Sequence, residues 1–119
     1  MQTSPNHLRV GACQLPEVLG DIGVALDQIE AHAHTAQAAG CALVCFPECY
    51  LQGYLLEPEV VRRHALDFDS SAFQGILCRL APLRPTLVFG LIESSQERLY
   101  NSAAVIKQGR LIGSYRKTY

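Results

Sequence analysis

Charge of either sign is scarce in this chain: charged residues make up 18% of its 119 positions, and the formal net charge is −1. Without a basic excess there is no electrostatic ground for a nucleic-acid partner or for attraction to an anionic membrane surface. No apolar run approaches the roughly 18 or more residues that a membrane-spanning helix requires. The opening MQTSPNHLRV also lacks the long apolar stretch of a secretory leader. Internal repeats and low-complexity tracts are absent as well. Histidine is sparse: His32 and His34 stand two apart in a helical stretch and so point to different faces, while His7 and His64 are isolated. No metal site and no cofactor are expected. The five cysteines are an odd number and sit mostly inside apolar segments. That pattern predicts reduced thiols in a cytoplasmic setting rather than a disulfide framework.

Apolar residues, by contrast, are plentiful at 49%, enough for one small domain with a real core. Residues 1–7 read as a loose polar terminus and residues 8–119 as one unit. Leu8 to Gln14 reads as a short strand with Gly11 as a point of close approach. Asp21 caps a helix in which Ile22, Ala25, Leu26, Ile29 and Ala33 recur at helical spacing, and Gly40 suits a left-handed cap at its end. Cys41 to Phe46 is a continuous apolar run stopped by Pro47, and reads as a strand buried on both faces. Short helices are predicted over 57–65 and 69–81. Thr86 to Ile92 reads as a second buried strand ending at Glu93. Residues 100–106 and 111–115 then form a hairpin turned at Gly109. Helical crossovers between buried strands predict an α/β fold.

Chemistry in such folds gathers beyond the carboxyl ends of the strands. Glu48 and Glu93 each follow a predicted strand, and a partly desolvated carboxylate there can serve as a general base. The plainer reading, which position alone favours, makes Glu48 a first-turn helix acid and Glu93 a solvated loop acid. Lys117 closes the last strand beside Arg116. It is either simply solvated or brought against a thiol or a developing oxyanion. Cys41, Cys45 and Cys49 are spaced four apart, but Pro47 breaks that ladder, so buried structural thiols are the better reading than a metal or redox module. Tyr50, Gln52 and Tyr54 follow Glu48 closely enough to line an entrance, with packing at least as good a reading for the two tyrosines.

LVCFPECYLQGY (43–54), FGLIE (89–93), LYNSAAVI (99–106) and GSYRK (113–117) resemble, in order, the segments of the nitrilase or carbon–nitrogen hydrolase superfamily. RVGACQ followed by Gly20-Asp21 resembles its opening strand and turn, so the likeness spans residues 8–119. The resemblance implies the amino-terminal part of an α-β-β-α sandwich. It also implies hydrolysis of non-peptide C–N bonds in amide, carbamoyl or nitrile substrates by a Glu-Lys-Cys set. Carried over by motif, Glu48 is the general base, Lys117 steadies the nucleophile and the tetrahedral intermediate, and Glu93 is a supporting acid that orients the lysine. Tyr54 is a substrate-binding candidate. Homo-oligomers of the complete enzyme are a further implication.

The nucleophilic cysteine of the family follows the lysine, in a segment like Gly-x-x-Ile-Cys-Tyr-Asp. All five cysteines here precede Lys117, and Tyr119 departs from the family pattern. The sequence therefore predicts a carbon–nitrogen hydrolase cut short before its nucleophile, inactive as the 119-residue chain. The alternative is a catalytically inactive fragment or pseudo-enzyme that serves as a binding or assembly module.

Overall fold

Helix α1 (Ile22–Ala38) begins where Asp21 accepts a hydrogen bond from the Val24 amide at 3.1 Å, closing one of the orphan donors of the first turn. Its buried stripe is Ala25, Leu26, Ile29 and Ala33, the helical spacing that the sequence predicts. After Ala39 the chain turns at Gly40 with φ +81°, a conformation that costs glycine nothing. A computed structural model describes residues 6–118; most of the predicted loose terminus (residues 1–5) and Tyr119 lie outside the described residues.

The remaining elements are β1 (Val10–Ala12), β2 (Leu43–Cys45), α2 (Pro58–His64), α3 (Ser71–Leu80), β3 (Thr86–Ser95), β4 (Arg98–Lys107) and β5 (Arg110–Arg116). They build one five-stranded sheet in the order β1-β2-β3-β4-β5. The first three strands run parallel and the last three form an antiparallel meander. This is the α/β architecture predicted from the order of elements. Ser70 caps α3 by accepting from the Phe73 amide, and the β4–β5 turn falls at Gln108-Gly109, both at positive φ, as a two-residue hairpin requires.

Most of the core lies on one sheet face. Val44, Leu87, Phe89, Leu91, Ala104 and Ile106 pack there against α1 and against Phe73, Ile76, Leu77 and Leu80 of α3. The opposite face is more open, with Val61 of α2 reaching only the end near Ile92 and Leu99. Val10 and Tyr115 on that face are 52% and 64% exposed, and Leu43, Cys45, Val88 and Val105 are half-buried.

Three expectations are corrected here. The strand predicted at 41–46 is only Leu43–Cys45 and is fully buried on one face, since Leu43 and Cys45 on the second face stay half-buried. Cys41 lies before it, its amide bonded to the Ala36 carbonyl at the end of α1. The strand at 8–14 shrinks to three residues, since its length is limited by that of its partner β2. Finally, β3 does not stop at Ile92. It runs to Ser95 and pairs with β4 through a tight turn at Gln96 and Glu97, two non-glycine residues at positive φ. Glu93 is therefore inside a strand rather than beyond one.

Candidate active site

The chain leaves β2 at Cys45 and runs on against the middle of β3. The Phe46 amide bonds the Val88 carbonyl at 2.8 Å, the Gly90 amide bonds the Pro47 carbonyl at 3.2 Å, and the Leu51 amide bonds the Gly90 carbonyl at 3.1 Å. Residues 48–52 form a turn rather than a helix, with Cys49 at φ 53° and Gly53 at φ +84°. Glu48 is thus not a first-turn helix acid. The seat depends on Gly90, where a Cβ would stand 2.3 Å from the Cys49 nitrogen and 2.7 Å from the Glu48 Cα. A mid-strand glycine is a recognised sign of close backbone approach, and FGLIE carries that sign.

Gln52, expected near an entrance, is fully buried. Its amide stands in for a missing β-partner: Oε1 accepts from the Ile92 amide at 2.9 Å, and Nε2 donates to the carbonyls of Ile92 at 3.0 Å and His64 at 3.1 Å. Tyr50 is also buried, its ring 6.2 Å from that of Phe46. Of the three residues after Glu48 that sequence singles out, Tyr54 alone turns its hydroxyl to the carboxylate.

That carboxylate is the centre of the site. Glu48 Oε1 accepts from Lys117 Nζ at 2.8 Å, and Oε2 accepts from the Tyr54 hydroxyl at 2.6 Å. Sixty-nine residues separate the acid from the lysine in sequence; the sheet joins them by placing the β2–α2 loop over β3 and the end of β5 beside β4. The Lys117 ammonium is the chief cause, with Tyr54 and Asn101 after it, that holds the Glu48 carboxyl down from 4.5 to about 2. The same bond pushes the Tyr54 phenol up to about 12. Tyr54 is itself held by Glu17, whose Oε1 accepts from the Tyr54 amide at 2.5 Å. Phe46, Glu48, Gly90, Ala103, Tyr115 and Lys117 line a recess of about 250 Å³ on the open face of the sheet.

Glu93 lies on the other face. Its Oε1 accepts from Ser102 Oγ at 2.7 Å and from Arg116 Nε at 3.0 Å, and its Oε2 accepts from Arg116 Nη2 at 2.9 Å. The guanidinium also lies 3.8 Å from the centroid of the Tyr100 ring. Glu93 is 4% exposed, which corrects the reading of it as a solvated loop acid. It grips Arg116, the neighbour of the lysine, while Lys117 itself takes Glu48.

Cys49 is buried, and its thiol donates to Asn101 Oδ1 at 3.5 Å. Burial first, and then the Glu48 charge, push its pKa up, so this thiol is kept protonated rather than activated. Among the described residues no group of three or more His, Cys, Asp or Glu is arranged to hold a metal ion. No helix among them is long and apolar enough to cross a membrane.

Residues 9–119 match the model of a family described as carbon-nitrogen hydrolase. The chain belongs to the carbon–nitrogen hydrolase family. A glutamine-dependent NAD(+) synthetase of Mycobacterium tuberculosis is 32% identical over 112 residues, which cover 94% of this chain and 16% of that protein. A solved glutamine-dependent NAD+ synthetase from Acinetobacter baumannii, in complex with ADP, superposes with a TM-score of 0.78 at 24% identity, over 94% of this chain and 21% of the other. An N-terminal amidase crystallised with a Gln-Gly peptide gives a TM-score of 0.76 at 22% identity, over 94% of this chain and 28% of the other. At these identities the two structures establish the carbon–nitrogen hydrolase fold. Asn101, Glu17 and Gly90 are the site's neighbours that sequence reading passes over. Gly90 alone carried a local signal; the other two are recognisable only once the sheet brings them to Glu48 and Tyr54.

Proposed function

We propose that this chain carries the general base and the lysine of a carbon–nitrogen hydrolase that acts on a carboxamide, with the nucleophilic cysteine supplied from outside residues 1–119. The 2.8 Å contact between Glu48 and Lys117 at the rim of a recess carries the reading. Glu48 is ionised at neutral pH and so ready to accept a thiol proton. The thiolate attacks the amide carbon, and Lys117, with its mobile four-carbon stem, follows the charge that develops on the carbonyl oxygen. As Lys117 shifts its bond toward the oxyanion, Glu48 loses the partner that depresses its pKa and becomes a stronger base. Collapse of the tetrahedral intermediate expels ammonia, which takes its third proton from Glu48, and leaves a thioester. Glu48 then takes a proton from water, which attacks the thioester and releases the carboxylic acid and the thiol.

The names of the relatives favour a side-chain carboxamide of the glutamine kind as substrate: one set is glutamine-dependent, and the amidase was crystallised with a Gln-Gly peptide. Tyr54 sits beside the carboxylate, where it would meet such a substrate. The 119-residue chain by itself is proposed to be inactive, since the thiol adjacent to Glu48 is buried and protonated.

The test is ammonia release from glutamine by a natural gene product that contains these residues. Glu48→Gln should lower kcat by about a hundred- to ten-thousand-fold, with the fold retained by circular dichroism. Full activity in Glu48→Gln would remove the proposed base. Turnover by the 119-residue chain that Cys49→Ala abolishes would instead make Cys49 the nucleophile.

A further inference from the structure

Three groups of the site converge on one residue of β4 that the Glu-Lys-Cys scheme does not use. The Asn101 backbone carbonyl accepts the Lys117 amide at 2.8 Å, continuing the β4–β5 ladder one step past Arg116. Its side-chain Oδ1 accepts the Cys49 thiol at 3.5 Å. Its side chain is close enough to Glu48 to be among the groups that lower the pKa of that carboxyl, and both residues line the same recess. These demands agree on one orientation of the amide. A thiol donor requires Oδ1 to face Cys49, which leaves the NH₂ for the carboxylate, a group that can only accept.

We propose that Asn101 is the positioning residue that locks the Glu48 carboxylate to the sheet and fixes the start of the Lys117 side chain against it. The other two donors to Glu48 are ill suited to that task. Lys117 reaches it over a long flexible stem and, in the proposed mechanism, swings toward the substrate oxygen. Tyr54 belongs to the loop itself, so it moves with Glu48. Asn101 has a short side chain on a strand paired on both sides, so its amide holds still while Lys117 shifts. Through Oδ1 it also tethers Cys49, the residue next to Glu48, which limits the carboxylate to small displacements. The proposal rests on the reading of Glu48 as base and Lys117 as its cationic partner, but its geometry can be tested without turnover.

The experiment is an NMR titration of the Glu48 side-chain carboxyl in the 119-residue chain, with Asn101→Ala and the near-isosteric Asn101→Asp beside the wild type. The backbone carbonyl survives both changes, so protection of the Lys117 amide from exchange reports that the ladder is intact. The Glu48 midpoint is expected to rise in both variants, further in Asn101→Asp, where a like charge replaces a donor. A Glu48 midpoint unchanged in either variant, with the Lys117 amide still protected, overturns the proposal. Lost Lys117 protection in both variants overturns it too, because Asn101 is then a residue of the fold. In an active gene product, Asn101→Ala should lower kcat by about ten- to a hundred-fold with KM nearly unchanged. The acid limb of its pH profile should move up. If Glu48→Gln leaves turnover intact while the Glu48 midpoint still responds to Asn101, the function reading fails and the positioning role stands.

Discussion

Arg116 and Lys117 are neighbours in sequence and point to opposite faces of one sheet, because side chains alternate along a strand. Each finds a glutamate, and the two pairs differ in every physical respect. Arg116 meets Glu93 with two hydrogen bonds, a serine hydroxyl adds a third, and a tyrosine ring stacks on the guanidinium. The acid is 4% exposed. Lys117 meets Glu48 with one hydrogen bond, in a pair whose side chains are 56% and 39% exposed. The rigid fork of arginine suits an ion pair that must hold one geometry, whereas the lysine stem suits a charge that has to move. One face of the sheet uses its ion pair to fix the end of β5; the other exposes a pair that, in the proposed mechanism, opens. The fixed pair keeps the movable one in place, since Arg116 anchors the backbone from which Lys117 projects.

The largest expected effect comes from removing the seat of the movable pair alone. In Gly90→Ala the new methyl group would meet the Cys49 nitrogen and the Glu48 Cα, backbone atoms that cannot rotate aside. The loop must lift, taking Glu48 from Lys117. Overpacking of this kind costs about 1–3 kcal/mol, and here about 3, measured as a fall in the urea midpoint at constant slope. The Glu93–Arg116 contacts should persist. Gly75→Ala in α3, where a Cβ meets nothing within 4 Å, is the matched control, and should be neutral or slightly stabilising. Equal losses in the two variants would mean that the close approach at Gly90 does not set the loop.

A smaller effect is expected from opening the fixed pair. Glu93→Ala deletes a nearly buried carboxylate with three hydrogen bonds and leaves Ser102 without its acceptor. A loss of about 2 kcal/mol follows, below the range for a fully buried pair because Arg116 keeps access to water. Glu48→Ala should cost less than about 1 kcal/mol, as exposed ion pairs do. Equal costs in urea unfolding would erase the distinction between the two faces. If amide exchange in Glu93→Ala leaves Lys117 as protected as in wild type, Arg116 does not anchor the lysine.

The apolar spacing of α1 and the long apolar run of β3 were legible because they follow from burial alone, whereas the run at 41–46 overstated both the length and the burial of β2. The position of Glu48 beyond a strand, and its motif link to Lys117, were legible too. What sequence did not show was which glutamate belongs to which cation. Glu93 was read as an acid beyond its strand because the apolar run ends at Ile92, yet pairing with β4 carries the strand three residues further. Backbone pairing needs no apolar side chain, so hydropathy marks where a strand is buried and not where it stops. The role of Gln52 was invisible for a related reason. A polar side chain is buried where hydrogen-bond partners satisfy it, and for Gln52 those partners are backbone groups of His64 and Ile92, 12 and 40 residues away.

The smallest effect separates the pairs by acid. Both carboxyls are held below the ordinary 4.5 in the folded chain, Glu93 chiefly by Arg116 and Glu48, at about 2, chiefly by Lys117. A depressed folded pKa contributes stability that is fully present above the unfolded value and lost as pH falls through the folded one. Unfolding midpoints should therefore be level above pH 4.5 and decline below it. Glu93→Gln should flatten that decline more than Glu48→Gln, although Glu48 stands beside a full positive charge. Water around the exposed pair screens its attraction, and the nearly buried carboxylate of Glu93 has little such screening. An acid profile that Glu48→Gln flattens as much as Glu93→Gln would mean that the open-face pair holds the fold as firmly as the buried one. Lys117 would then not be free to leave Glu48 for a substrate oxygen.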